Sequence, residues 1–177
     1  MDWRDCLLPL AFPLSVLVIG SWRLAVFDRS PTPQPASSVS PQDRGSNYAL
    51  APPGTYPTCQ DNPALADRLL AEGRRLGITV KTGQPELQGK DATYRAESGR
   101  LGAITIKQRP MSPEVRCMLI SHEFIHVLQH LQGDLRGVPL LGWTKEYPDS
   151  IPQEADAYRH QQRAGYVLRL LQKTERP

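Results

Sequence analysis

Ser112-Pro113-Glu114-Val115-Arg116-Cys117-Met118-Leu119-Ile120-Ser121-His122-Glu123-Phe124-Ile125-His126-Val127-Leu128-Gln129-His130-Leu131-Gln132-Gly133-Asp134 is the stretch on which the reading of this chain turns. Ser112 suits a helix N-cap, Pro113 the first helical position, and Glu114 the positive end of the helix dipole. No Pro or Gly interrupts Val115 to Leu131, and Gly133-Asp134 supplies a stop. The spacing predicts a helix of roughly five turns. Cys117, Met118, Ile120, Phe124, Ile125, Val127, Leu128 and Leu131 cover most of its circumference, so the helix is expected to be buried. The remaining arc carries Val115, Leu119, His122, Glu123, His126 and His130. Two histidines and a carboxylate in so apolar a helix are costly unless something pairs with them.

His122 and His126 stand four positions apart, so both rings lie on one face, one turn apart. Each can offer a ring nitrogen to one zinc ion. Glu123, between them in H-E-x-x-H, is poorly placed as a further ligand but well placed to take a proton from a zinc-bound water. Such a site needs a third protein ligand. His130 lies about 12 Å along the axis from His122 and cannot reach the same ion from a straight helix. Gln129 and Gln132 stand where the extended motif of the metzincins has its Gly and last ligand. Asp134 sits just past the helix end. Ser150-Ile151-Pro152-Gln153 reads as a capping-box start, which puts Glu154 in the first turn of a second helix, from Ile151 to about Lys173. A first-turn carboxylate is rigidly aimed and favoured by the dipole. Glu154 is therefore the expected third ligand, against the plainer reading of a dipole-favoured surface residue.

With His122-Glu123-Phe124-Ile125-His126 followed by Glu154 in Gln-Glu-Ala-Asp-Ala-Tyr, the chain resembles the gluzincin branch of the zincin-like metallopeptidases, over about Thr58 to Lys173. The resemblance implies a zinc cofactor on His122, His126 and Glu154, with Glu123 as general base and later proton donor in peptide-bond hydrolysis. It implies an α+β fold: a minimal zincin-like domain of helix, small sheet, active-site helix and C-terminal ligand helix. It also implies that the strand before the active-site helix forms the sheet edge along which an extended substrate lies, a role falling to Ala103–Lys107, with a plain core strand as the alternative reading of the same residues. Many gluzincins carry an Asp four residues after the ligand Glu; Tyr158 occupies that position, and Asp156 points to the opposite side of its helix. Tyr158 lies one turn after Glu154, where it could hydrogen-bond a tetrahedral oxyanion or simply pack. His160 could do so only with a bend.

Upstream, Asn62 to Leu76 has amphipathic helical periodicity, and Gly77–Lys81, Ala92–Arg95 and Ala103–Lys107 read as strands. In the loop Gly133–Asp149, Trp143 and Tyr147 could line a substrate pocket or pin the loop to the core.

Cys6 to Gly20 is apolar and uncharged; extended to Phe27, with Trp22 and Arg23 at interface depth, it is long enough to cross a bilayer as an uncleaved anchor. Residues 28–57, rich in Pro and Ser, read as a disordered tether. The expected organisation is an anchor at 1–27, a linker at 28–57 and a zincin-like domain at 58–177. The expectation is a single-pass membrane protein, monomeric, with its catalytic domain facing outward. Cys59 and Cys117 could pair in an exported domain, or Cys117 could be a buried thiol. A net charge of +3 without a basic, aromatic-interleaved stripe argues against a nucleic-acid partner. The function expected is a membrane-tethered zinc peptidase acting on a peptide or protein. The alternative is a non-cleaving binding or regulatory module that retains the fold, a reading the intact Glu123 disfavours.

Overall fold

The computed structural model describes residues 47–145 and 151–177. The anchor segment, the linker as far as residue 46, Tyr147 and Ser150 lie outside them. Among the described residues no helix is long and apolar enough to cross a membrane.

The fold is α+β. Its elements run α1 (Leu65–Leu76), β1 (Thr79–Thr82), β2 (Ala92–Glu97), β3 (Arg100–Ile106), α2 (Pro113–Gln132), α3 (Pro152–His160) and α4 (Ala164–Lys173). α1 starts later than Asn62 because residues 62–67 first form tight turns, with Leu65, Ala66 and Asp67 each donating to the carbonyl three residues back. It ends at Gly77, whose φ of 102° is the left-handed cap that glycine adopts without strain. Gly73 lets α1 approach α2: a Cβ there would stand 2.5 Å from Phe124 Cζ. Phe124, Ile120, Ile125 and Leu128 of α2 are fully buried among Leu65, Leu69 and Leu76 of α1 and Val167 and Leu171 of α4. The start of α2 is as the sequence predicts, with Ser112 accepting from the Val115 N–H at 3.2 Å and Pro113 in the first turn.

The sheet order is β1-β3-β2, with β1 parallel and β2 antiparallel to β3. β3 contains Ala103–Ile106 and is the central strand. The edge role for Ala103–Lys107 is therefore wrong and the alternative, a core strand, holds, since both edges of β3 are taken. β2 is the edge that packs against α2. The strongest β-former of the chain went to the middle of the sheet, where it is buried on both flanks.

Two more expectations need correction. The single helix Ile151–Lys173 is broken into α3 and α4. The break has a tertiary cause: the Gln162 carbonyl accepts from the Cys59 N–H at 2.9 Å, and the Gly165 N–H donates to the Pro57 carbonyl at 3.0 Å. A Cβ on Gly165 would meet that carbonyl at 2.6 Å. The N-cap of α3 is Ile151, with no side-chain cap, although Glu154 does fall in the first turn. In addition, residues 47–57 are not a loose tether. They form a strap across α4, held by Trp143 Nε1 donating to the Tyr48 carbonyl at 2.7 Å, by Arg163 donating to the Pro52 carbonyl at 3.1 Å, and by the Tyr166 hydroxyl on the Ala49 carbonyl. Tyr48, Ala51 and Tyr56 pack on the core. The strap leads into a disulfide between Cys59 and the first turns of α2 at Cys117, Cα atoms 5.6 Å apart.

Candidate metal centre

His122 and His126 project from the middle of α2, held by burial of the helix on its other faces. Their Nε2 atoms lie 3.2 Å apart. α3 brings Glu154 between them: Oε2 is 3.3 Å from His122 Nε2 and Oε1 is 3.2 Å from His126 Nε2. These three residues could hold a metal ion. The spacing suits one, since ligands bonded at about 2.0–2.2 Å in a tetrahedron sit about 3.3–3.6 Å from each other.

The local chemistry fits as well. His126 Nδ1 is 2.8 Å from the Gln129 side-chain oxygen, and Gln129 donates through Nε2 to the Gln153 carbonyl at 2.9 Å. An amide oxygen only accepts, so His126 carries its proton on Nδ1 and, when neutral, presents a bare lone pair at Nε2. Glu154 Oε2 is buried without a hydrogen-bond partner, as is His122 Nδ1. A lone pair and a carboxylate oxygen converging at such distances repel unless a cation lies between them. Contacts with His122 and His126 hold the Glu154 carboxyl far below its usual range. Burial pulls the His126 pKa down, but Glu154, Gln129 and Glu123 outweigh it and the net shift is upward.

Glu123 is buried beside this group, and burial raises its pKa against the lowering influence of His122, His126 and the Tyr94 backbone N–H. Tyr94 comes from β2. Its hydroxyl accepts from the Gly102 N–H at 3.2 Å and bonds His130 Nδ1 at 2.7 Å. His130 is thus a satisfied core histidine that ties α2 to the sheet. Asp134 is exposed beyond the helix end, at φ 51°. Asp156 is buried and accepts from the Leu141 and Thr144 N–H groups, both at 2.9 Å, so it pins the loop before α3. His160 Nδ1 meets the Asp156 carbonyl at 3.0 Å, and its ring abuts Trp143. None of these competes for the place of Glu154.

Tyr158 stands beside the centre, its ring 4.6 Å from that of His122. Lys90, from the turn before β2, donates to the Tyr158 hydroxyl at 3.1 Å and lies 3.9 Å from Glu154 Oε2. An open cleft over the group is walled by Leu87, Lys90, Ala92, Tyr94, Leu119 and Tyr158. Trp143 is not among its walls and instead secures the strap.

Sequence reasoning missed Gln129, Tyr94 and Lys90. Gln129 had a signal, since it is three residues after His126 on the same helix face. Tyr94 and Lys90 had none, because only the pairing of β2 with β3 and its packing on α2 bring them here. Compared with known proteins, the chain matches no family model, no curated protein and no solved structure.

Proposed function

We propose that this protein is a zinc-dependent peptidase of the gluzincin type. The observation that carries the reading is the convergence of His122, His126 and Glu154 at mutual distances of 3.2 and 3.3 Å, with the Glu123 carboxylate buried alongside. Three ligands from two helices leave the cleft side of the group open, as a catalytic rather than a structural zinc requires. Zinc, when bound, lowers the pKa of water and polarises a carbonyl.

The remaining work falls to the chain's own side chains. Glu123, with its pKa raised by burial, is tuned towards accepting a proton from the attacking water and returning it to the leaving amine. The Tyr158 hydroxyl already accepts a hydrogen bond from Lys90, which leaves its own proton free to donate to the oxyanion. β2 suits a peptide substrate. Asp91 bonds towards β3, its carbonyl accepting from Lys107 at 2.8 Å, while the Tyr94 N–H meets Glu123. By strand alternation Ala92 and Tyr94 turn their backbone groups away from β3, along the cleft that holds the metal ligands. The Cys59–Cys117 disulfide favours an oxidising compartment, and with the apolar segment Cys6–Phe27 supports a catalytic domain tethered on the outer side of a membrane.

The deciding experiment is Glu123→Gln. The variant should keep the zinc of the wild type and lose cleavage of a quenched-fluorescence peptide library by about 10²–10⁴-fold. Wild-type protein that holds zinc and cleaves nothing in the library would instead favour a binding module.

A further inference from the structure

Gln129 is wholly buried, and its amide bridges the two helices at the centre, meeting His126 of its own helix and the Gln153 carbonyl at the start of α3. Its two ends have different partners. Gln153 offers a backbone carbonyl, which can only accept, so the amide NH₂ must face it. The oxygen must then face His126 Nδ1, and the ring must carry its proton there. Gln153 is the residue immediately before Glu154, in the first turn of α3, whose N-cap has no side-chain support. Nothing else described at that turn fixes it to α2 except the Glu154 contacts themselves. A carboxylate at 129 would hold the imidazole but could not donate to the carbonyl. An apolar side chain would do neither and would leave a buried carbonyl unpaired.

We propose that Gln129 is the positioning residue of the metal centre: one amide fixes the ring orientation of His126 and sets the turn that carries Glu154. The inference rests on the metal-site reading, yet half of it can be read without metal. It explains how a third ligand from a separate helix, across a long loop, is held within contact of the first two. Pre-set ligands bind more tightly because less freedom is lost on binding.

The test uses the full-length chain and zinc alone as the ligand. Affinity is measured by competition with a chromophoric chelator, and melting temperature is recorded with and without metal. Gln129→Met should weaken zinc binding by about 10–100-fold, the range for losing an outer-shell partner. In a Glu154→Ala background the same substitution should cost clearly less, because the residue it positions is gone. A merely structural glutamine would lower the melting temperature of both forms equally and leave the zinc affinity within twofold, and that result overturns the proposal. If Gln129→Met does not fold, Gln129→Glu takes its place; it should retain the His126 bond and lose the hold on Gln153, again with a smaller effect in the Glu154→Ala background. Separately, a long-range proton–nitrogen spectrum of metal-free wild type at about pH 9, above the imidazole range, should find the His126 proton on Nδ1. A neutral ring with its proton on Nε2 and a bare Nδ1 overturns the assignment. Wild type with the Nδ1 proton but no zinc uptake would sink the metal reading and keep Gln129 as the clamp of His126.

Discussion

Glu154→Ala is the perturbation that tests the centre most sharply. In the wild type each carboxylate oxygen faces one imidazole, at 3.2 and 3.3 Å, so on the proposed reading a single side chain would supply one ligand and a negative charge in contact with both rings. At a zinc concentration 100 times the dissociation constant, binding stabilises the fold by about 2.7 kcal/mol. For a domain of this size, that is a rise of roughly 10 °C in melting temperature. Removing Glu154 should weaken zinc at least tenfold, as even outer-shell losses cost about that much. At the same zinc concentration the stabilisation then falls to about 1.4 kcal/mol and the shift to roughly 5 °C. The metal-free variant should also melt lower than metal-free wild type, since His126 loses a charge-assisted contact. Differential scanning fluorimetry with and without zinc separates the two effects. Asp134→Ala is the control, and its zinc shift should equal that of wild type. Equal zinc shifts in Glu154→Ala and wild type would refute the ligand assignment, whatever happened to the metal-free forms.

Three further outcomes are expected. Tyr158→Phe should lower kcat about 10²-fold with KM little changed, and Lys90→Met should cost far less once Tyr158 is gone, measured as a double-mutant cycle in peptide hydrolysis. Reducing the Cys59–Cys117 bond, which closes a span of 58 residues, should remove up to about 4 kcal/mol, read as a lower denaturant midpoint. For metal-free protein the pH signs are opposite for the two partners. Glu154, depressed in the fold, stabilises above the ordinary carboxylate range and loses that contribution as pH falls through its folded value. His126, raised in the fold, stabilises below the ordinary imidazole range and loses it as pH rises through its folded value. The pair should therefore favour the metal-free fold most between about pH 4.5 and 6.5, and the zinc-induced shift should grow above that window. Melting curves from pH 4 to 9 check this, and an optimum displaced to alkaline pH would contradict it.

How far the sequence reached can be followed residue by residue. α2 was legible from end to end because its signals are local: a Ser cap, a Pro in the first turn, an unbroken apolar run and a Gly stop. The first-turn position of Glu154 was read from a capping box at Ser150 and Gln153; the helix does begin there and Glu154 does fall in its first turn, but the N-cap is Ile151 without a side-chain cap. The break at residues 161–163 was not legible. Gln161-Gln162-Arg163 has no breaker, and the helix parts only because backbone groups of Pro57 and Cys59 take its hydrogen bonds. The strap was misread for a related reason. Its Pro-rich composition lacks periodicity, but Tyr48 and Tyr56 find a surface on α4 that no local pattern announces. The sheet order escaped too, because strand propensity ranks strands and does not say which one lies at the edge.

The strap has a mechanical consequence. Residues 47–57 cross α4 through single bonds to backbone carbonyls, which can be unzipped one at a time. Just beyond them the Cys59–Cys117 crosslink grips α2 itself. A pull on the chain from its N-terminal side would first peel the strap, then arrive at the disulfide, and go no further into α1. Load would pass directly to the helix bearing His122 and His126, five residues from the crosslink at the nearer histidine, without a covalent path through the sheet. The domain is in effect hung from α2, because the crosslink hands the load to that helix once the strap has peeled away from α4.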